Sequence, residues 1–204
     1  MEDLQPEKVL EFMSLVNNLK HSSRRGWEQD NVKNHEQIAG HMYGMAMMTF
    51  LLGDNSNLDR LKCLQLALVH DLAESIVGDI TPKDNIPEDA KHKMEDEAMK
   101  SITSCLGDKV GPYMYKLYKE YEAKETPEAK FVKDLDRFDM LYSATFYEER
   151  DKTPGKLQEY FTSTEGKFEN PFIKNLVQIL EDKRRTASNG SGNNENLPVS
   201  NGQI

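Results

Sequence analysis

The segment with the clearest chemical potential is the run LVHDLAE at residues 68–74. Read as a helix, it places His70 and Glu74 one turn apart on a shared face, with Asp71 about 100° away from His70. Imidazole nitrogen and carboxylate oxygen are ligands that Mn, Fe, Co and Zn accept in proteins. An isolated His-Asp pair is also common at protein surfaces, so the prediction of a divalent metal site depends on the rest of the chain.

The leucines of the same segment predict its buried face. Leu64, Leu68 and Leu72 recur every fourth residue, and this stripe lies roughly 160° around the helix from His70. The sequence therefore predicts a helix that packs on one side and lines a polar cavity on the other.

Two polar residues elsewhere lie on faces that the apolar pattern predicts to be buried. His41 shares a stripe with Met45, and Asp136 lies one turn after a valine, whereas Asp134 and Asp139 are predicted to be more exposed. A buried histidine is most often satisfied by one hydrogen bond. A buried carboxylate needs a partner, and either a metal or an arginine would serve.

Composition limits the class of protein. The chain has 204 residues with 26 basic and 35 acidic side chains, a net charge of −9. One domain with an ample core fits this length. An acidic chain argues against nucleic acid polymers or an anionic membrane as the partner, but not against a small phosphorylated ligand. Two isolated cysteines and an acidic N-terminus without a targeting signal predict a cytoplasmic protein.

Nearly every segment has the period of an amphipathic helix, so the predicted class is all-α, a compact single-domain helical bundle. Residues 21–34 are predicted to be irregular. The longer predicted helices are approximately 6–20, 35–52, 58–77, 87–106, 112–124, 127–150 and 171–185. The domain is predicted to span 1–185. Residues 186–204 are rich in Asn, Gly and Ser, a composition that predicts a disordered tail.

The order His41, His70-Asp71 and Asp136 resembles the HD superfamily of metal-dependent phosphohydrolases. Within it, the chain is most similar to the 5′-deoxynucleotidase group that includes the YfbR-like enzymes. The resemblance covers about residues 8–182 and implies an HD-domain bundle. The segments that carry it are RRGW at 24–27, EQIAGHMY at 36–43, LALVHDLAE at 66–74, GDITP at 78–82, DNIP at 84–87, AKFVKDLD at 129–136 and PGKLQ at 154–158.

The resemblance implies a divalent ion, with Mn²⁺, Co²⁺ and Mg²⁺ as candidates. The residues that match its ligands are His41, His70, Asp71 and Asp136. Glu74 matches the catalytic carboxylate, and Asp79 matches a residue near the substrate sugar that we also count as catalytic. In some members of the family, Glu74 and Asp79 look able to hold a further ion. A homodimer is implied by the resemblance alone.

Arg24 matches the arginine that contacts the substrate phosphate, although the adjacent Arg25 is an alternative. Trp27 is a candidate wall for the nucleoside, with core packing an equally good interpretation. One position departs from the family pattern, because Gly40 precedes His41 where the group commonly has Asp or Glu. If that carboxylate orients the histidine, its loss would lower metal affinity by about 10–100-fold.

These features predict metal-dependent hydrolysis of 2′-deoxyribonucleoside 5′-monophosphates to deoxynucleoside and inorganic phosphate, a reaction of nucleotide metabolism. One alternative keeps the metal and changes the phosphoester to a dNTP, guanosine tetraphosphate or a cyclic dinucleotide. Another is a non-catalytic helical interaction module. Metal content separates the module from the enzymes, and a substrate panel separates the enzymes from one another.

Overall fold

The computed structural model describes residues 4–53 and 56–190, with side chains up to residue 186. These ranges contain helices and no β-strand, apart from an isolated bridge between Ser23 and Gln37, which confirms the all-α prediction. In chain order, the helices are α1 (Pro6–Leu19), α2 (Arg25–Gln29), α3 (Ile38–Thr49), α4 (Arg60–Val69), α5 (Glu74–Val77), a 3₁₀ turn (Pro82–Asp84), α6 (Glu88–Ser104), α7 (Gly107–Ala123), α8 (Pro127–Asp151), α9 (Gln158–Thr164) and α10 (Pro171–Gly190).

Several helix ends are explained by the residues at their boundaries. Pro6 opens α1 at a position where its missing N–H costs no helical hydrogen bond. The Asp59 side chain accepts a hydrogen bond from the Lys62 N–H at 3.1 Å and so caps α4. Gly78 ends α5 with a φ of 75°, a conformation that favours glycine.

The segment 58–77 is not the single helix that the periodicity predicts. Helix α4 ends at Val69, and residues 70–73 form turns before the four residues of α5. Here the backbone changes to shorter-range bonds, including Leu72 N–H to Val69 O and Glu74 N–H to Asp71 O. Such tighter turns rotate successive side chains by more than the 100° of an α-helix.

The predicted leucine stripe is only partly correct for the same segment, because Leu72 is buried but Leu68 is not. Leu68 is 47% exposed, whereas Leu66, Ala67 and His70 are buried. His70, which follows α4 directly, therefore lies on the buried face instead of opposite it. Periodicity alone could not distinguish the two faces, because this helix has apolar residues all around it.

The chain divides into two compact units, residues 1–139 and 140–204. In the first unit, α3 packs on α4, α4 and α6 pack on α7, and α5 contacts α1 and α6. The fully buried large side chains of this unit include Trp27, Ile38, Met45, Leu66 and Met99. Every residue that the sequence predicts for the site lies in this unit.

The second unit is organised around a buried ion pair. The Glu148 carboxylate accepts hydrogen bonds from Arg184 Nε at 2.7 Å and from the Leu157 N–H at 2.6 Å. The Arg184 guanidinium also lies over the Phe161 ring, 4.1 Å from its centroid. These contacts join α8, α9 and α10.

The final helix extends to Gly190 and so passes the predicted domain boundary at 185. The start of the predicted tail is therefore helical, and its remainder, 191–204, lies outside the described residues. Among residues 4–53 and 56–190, none of the helices has both the length and the apolar character of a membrane span.

Candidate metal centre and active site

Helix α3 positions His41 on its inner face. The side chain is fully buried, as is Met45 one turn later, which confirms the predicted core-facing stripe. Nδ1 of His41 lies 2.7 Å from Asp139 Oδ2. Because a carboxylate accepts, Nδ1 carries the proton and donates, which leaves the Nε2 lone pair facing the centre of the unit.

The tautomer of His70 is also fixed by a hydrogen bond from Nδ1, but to a different partner. It caps α4, and its Nδ1 donates to the carbonyl oxygen of Ala67 at 2.9 Å. Its Nε2 is therefore the nitrogen that is free to bind a metal. Nitrogen ligands in metal sites are commonly fixed in this way by a hydrogen bond to their other nitrogen.

Three of the four predicted metal ligands, His41, His70 and Asp71, place donor atoms within 4.8 Å of one another. Asp71 Oδ2 lies 3.1 Å from His70 Nε2 and 3.8 Å from His41 Nε2. Asp136 joins them with its Oδ1, 3.2 Å from His41 Nε2. The two Nε2 atoms are buried and lack a hydrogen-bond partner within the described part of the chain. Two orphaned imidazole nitrogens facing two carboxylates fit a divalent cation.

Asp136 is held by two residues of its surroundings. Its Oδ2 accepts hydrogen bonds from Lys133 Nζ at 2.7 Å and from the Tyr121 hydroxyl at 2.9 Å. This leaves Oδ1 directed toward His41. Burial opposes ionisation of Asp136, but Lys133 and His41 outweigh it and hold the pKa of this carboxyl well below its usual range. Asp136 is thus an ionised carboxylate oriented by its neighbours.

Asp139 is a site residue that sequence reasoning missed. The prediction that Asp134 and Asp139 are more exposed is wrong, because Asp134 is fully buried and Asp139 bonds to His41. Asp139 follows Asp136 by three residues, so both carboxylates lie on one side of α8. That spacing, together with the need of a buried histidine for a partner, was the available signal.

Electrostatics around His41 favour its charged form in the absence of a metal. Burial and the positive charge of Arg24 lower its pKa, but Asp136 and Asp139 outweigh them and raise the pKa to about 9. A cation of higher charge would replace the proton at Nε2, because a ligating imidazole must be deprotonated there.

Glu74 lies at the start of α5, buried beside the metal donors but outside their group. Its Oε2 atom is buried and has no hydrogen-bond partner among the described residues. Burial, followed by the negative charges of Asp71 and Asp79, raises its pKa well above the usual range. A carboxyl in this state holds its proton at a higher pH than an ordinary glutamate does.

Asp79 lies in the loop after α5 and is fixed by the backbone of α2. Its Oδ2 accepts a hydrogen bond from the Arg25 N–H at 2.8 Å. Burial raises the pKa of Asp79, an effect that the nearby Arg24 opposes. Neither Asp79 nor Glu74 belongs to a group of metal donors within the described ranges, so a further ion at these residues stays a prediction.

The two adjacent arginines differ clearly in position. The Arg24 side chain is 14% exposed, and its NH1 lies 3.3 Å from Asp71 Oδ2. The Arg25 side chain is 55% exposed and pairs with Asp84 at 2.7 Å. Four carboxylates, those of Asp71, Asp79, Glu74 and Asp136, raise the pKa of Arg24 and overcome its burial. A fixed, charged guanidinium beside the metal donors supports Arg24 as the phosphate-binding residue.

Trp27 lies in the interior of the first unit, 2% exposed. This burial favours the core-packing interpretation of Trp27 over a wall for the nucleoside.

A second group of potential donors, Glu36, His41 and Asp139, surrounds the other nitrogen of His41. That nitrogen is already bonded to Asp139, so we do not assign a metal there.

Comparison with known proteins places this site in a family. Residues 16–176 match the HD domain family. The human 5′-deoxynucleotidase HDDC2 is 47% identical over 178 residues, which are 87% of this chain and 87% of the human protein. The mouse protein of the same name is 46% identical over 179 residues, 88% of this chain and 89% of its own.

A solved structure agrees with this assignment. The crystal structure of PH0347 protein from Pyrococcus horikoshii OT3 has a TM-score of 0.70 and 34% identity, covering 86% of this chain and 98% of that one. The fold and the His, His-Asp, Asp donor set define a helical domain with a divalent metal site. The chain belongs to the HD domain family.

Proposed function

We propose that this protein is a 5′-deoxynucleotidase, a phosphoric monoester hydrolase that acts on 2′-deoxyribonucleoside 5′-monophosphates. Relatives that carry this name are 46–47% identical over most of the chain. The observation that carries the proposal is the convergence of His41, His70 and Asp71 beside the charged Arg24. A divalent ion at these donors and the Arg24 guanidinium would place two cations beside one phosphate position. This arrangement fits a phosphate ester better than any neutral substrate.

The residues of this site divide the reaction between them. A divalent ion held by His41, His70, Asp71 and Asp136 would act as a Lewis acid and lower the pKa of a water molecule. Arg24 neutralises the phosphate oxygens with its planar fork of donors. The water oxygen forms a bond to phosphorus as the bond from phosphorus to O5′ breaks. Glu74 transfers a proton in this reaction, either as the acid that protonates O5′ or as the base that deprotonates the water.

Selectivity for the deoxy sugar is assigned to Glu74 and Asp79. Both carboxylates are fixed, Glu74 by burial in α5 and Asp79 by its bond to the Arg25 N–H. We infer that they occupy the space that a 2′-hydroxyl would need. A ribonucleotide would then have to displace a buried carboxylate, which costs more than the added hydroxyl returns.

The metal is proposed to be Mn²⁺, Co²⁺ or Mg²⁺. Two imidazoles favour Mn²⁺ or Co²⁺ over Mg²⁺, which prefers oxygen ligands and retains several bound water molecules.

We also propose that the protein is a cytoplasmic homodimer. Its ligand is a small nucleotide, and it binds neither nucleic acid polymers nor membranes. Support for a dimer comes from the family resemblance and from two exposed residues on one side of α3, Tyr43 and Met47, together with exposed Leu51 just after this helix. Light scattering on the purified protein would test the dimer.

Phosphate release tests the function directly. Deoxy and ribo 5′-monophosphates are compared with Mn²⁺ or Co²⁺ and with EDTA, and a His70→Ala/Asp71→Ala protein serves as the blank. We expect metal-dependent release from the deoxy series. Glu74→Gln should bind metal normally and lower kcat by about 10²–10⁴-fold. Release from dNTPs or cyclic dinucleotides instead would favour another HD hydrolase, and absence of bound metal would favour an interaction module.

A further inference from the structure

We propose that Lys133 and Tyr121 are positioning residues that restrict Asp136 to one oxygen, Oδ1, as a ligand for the metal. The consequence for catalysis rests on the proposed function, whereas the effect on the metal site does not. A carboxylate can bind a cation through one oxygen or through both. Binding through both would occupy a further position around the ion, and hydrolysis needs such a position for a water molecule.

The two donors reach the same oxygen of Asp136 from different helices. Lys133 lies three residues before Asp136 in α8, and its Nζ donates to Oδ2 at 2.7 Å. The Tyr121 hydroxyl of α7 donates to Oδ2 at 2.9 Å. Lys133 Nζ also donates to the Tyr121 hydroxyl oxygen at 3.4 Å and lies 5.6 Å from the centroid of the ring. The three side chains therefore form one connected group.

This group gives the two oxygens of Asp136 different roles. Oδ1 lies beside the metal donors, 3.2 Å from His41 Nε2. Oδ2 has one charged and one neutral donor, and hydrogen bonds from a charged donor are the stronger kind. To bind the ion as well, Oδ2 would have to leave both donors, which would separate the half-buried Lys133 ammonium from its carboxylate. The metal is therefore left with Oδ1.

Tyr121 makes a second contact at the metal centre. Its ring packs against the imidazole of His70, with the two centroids 5.1 Å apart. Tyr121 thus contacts two of the four predicted metal ligands, His70 through its ring and Asp136 through its hydroxyl. Phenylalanine at position 121 would keep the ring contact and remove the hydrogen bond. Tyr121→Phe therefore tests the bond to Asp136 alone.

A matched control lies on the same helix as Tyr121. Asp96 of α6 accepts hydrogen bonds from the Tyr115 hydroxyl at 2.7 Å and from Lys119 Nζ at 3.0 Å, and both donors belong to α7. This group repeats the tyrosine and lysine donors of Asp136. Within the described ranges, however, Asp96 belongs to no group of potential metal donors. Tyr115→Phe and Lys119→Met are therefore the controls for Tyr121→Phe and Lys133→Met.

The test counts the water molecules bound to Mn²⁺. The full-length wild type and each variant are loaded with Mn²⁺ in the absence of nucleotide. Broadening of the Mn²⁺ electron paramagnetic resonance signal in ¹⁷O-enriched water then gives the number of water ligands. Affinity for Mn²⁺ is measured by calorimetry, and kcat and KM for dTMP are measured by phosphate release.

We expect Mn²⁺ in Lys133→Met to carry about one water molecule fewer than in the wild type, because Asp136 then binds through both oxygens. The affinity for Mn²⁺ should not fall, since a positive charge beside the ion has been removed. The value of kcat should fall about 10–100-fold. Tyr121→Phe should change the water count in the same direction by a smaller amount, and the two controls should not change it.

A merely structural role for Lys133 would lower the melting temperature and the metal affinity and leave the water count unchanged. The proposal is overturned by that result, by equal water loss in a control, or by a wild type that binds no Mn²⁺. If Lys133→Met does not fold, the water count of Tyr121→Phe decides. Water loss in a protein that releases no phosphate from dTMP would refute the proposed function and retain the positioning role.

Discussion

Asp139 Oδ2 lies 2.7 Å from Nδ1 of His41, on the side of the imidazole opposite to the metal donors. This contact fixes the ring so that Nε2 faces Asp71 and Asp136. The position before His41 has no side chain, because it is Gly40. Asp139 supplies a carboxylate to the histidine from α8, whereas a Cβ at position 40 would meet Glu36.

Asp139→Asn should weaken metal binding without unfolding the protein. The amide keeps the shape of the side chain but loses the charge that stabilises the bound tautomer and raises the basicity of His41. We expect metal affinity to fall about 10–100-fold, the usual effect of removing such a partner. Calorimetric titration with Mn²⁺ measures it, and Asp89→Asn at an exposed position of α6 is the control. An unchanged affinity would show that Asp139 does not support His41.

Gly44 and Gly40 form a matched pair of substitutions in α3. A Cβ at Gly44 would lie 2.8 Å from Asp139 Oδ1, so alanine there must displace this carboxylate. A Cβ at Gly40 would meet Glu36 Cβ at 3.5 Å, which is ordinary contact. Gly40→Ala should stabilise the helix by up to about 1 kcal/mol and leave metal affinity as it is.

Gly44→Ala should lower metal affinity to the level of Asp139→Asn, whatever it does to the melting temperature. Thermal unfolding with and without Mn²⁺ gives both quantities in one experiment. If the two alanine variants bind metal equally well, the close approach of Asp139 to Gly44 has no role in the site.

The two arginines should differ in their effect on activity. Arg24→Lys removes the planar fork beside Asp71, and we expect kcat/KM for dTMP to fall about 10–100-fold. Arg25→Lys should change kcat/KM little, because the Arg25 side chain is 55% exposed and pairs with Asp84. Steady-state kinetics of both variants with dTMP decides the assignment. A reversed pattern would make Arg25 the phosphate-binding residue.

The ion pair of Glu148 and Arg184 should dominate the stability of the second unit. Removing one member leaves a buried charge without its partner, so Glu148→Ala should cost about 3–5 kcal/mol in the free energy of unfolding. Glu149→Ala, at the exposed neighbouring position, should cost little. Urea denaturation compares the two variants. Equal midpoints would contradict a stabilising role for the pair.

The same pair predicts a pH dependence. Burial opposes ionisation of Glu148, but Arg184 and the Leu157 N–H outweigh it and hold its pKa below the ordinary value of 4.5. The unfolded chain then binds the proton more readily than the folded one. The contribution of ionised Glu148 to the free energy of unfolding is complete above pH 4.5. It is lost as the pH falls through the pKa of Glu148 in the folded protein, which is lower than 4.5. The free energy of unfolding of the wild-type protein, measured by urea denaturation at several pH values, should show this loss as the pH falls below 4.5. The Glu148→Gln variant should not show it.

The sequence by itself determined the helical class and pointed to four residues that the structure brings together, His41, His70, Asp71 and Asp136. Apolar residues with helical spacing and proline or glycine at helix ends act locally, so α1, α6 and the end of α5 follow from nearby residues. His41 and Asp136 were identifiable because a polar residue on an apolar face needs a partner. The short α2 was missed, since its five residues in the region predicted to be irregular carry too little pattern to be distinguished from a turn.

The tertiary structure decided what depends on contacts between distant segments. The orientation of His70 follows from the break after Val69, which periodicity read as a continuous helix. The choice between Arg24 and Arg25 depends on which guanidinium is buried beside Asp71. Asp139 and His41 are far apart in sequence, and their pairing requires α3 to pack against α8 with only a glycine at position 44. Such pairings depend on the shapes of two elements at once, and neither segment contains that information alone.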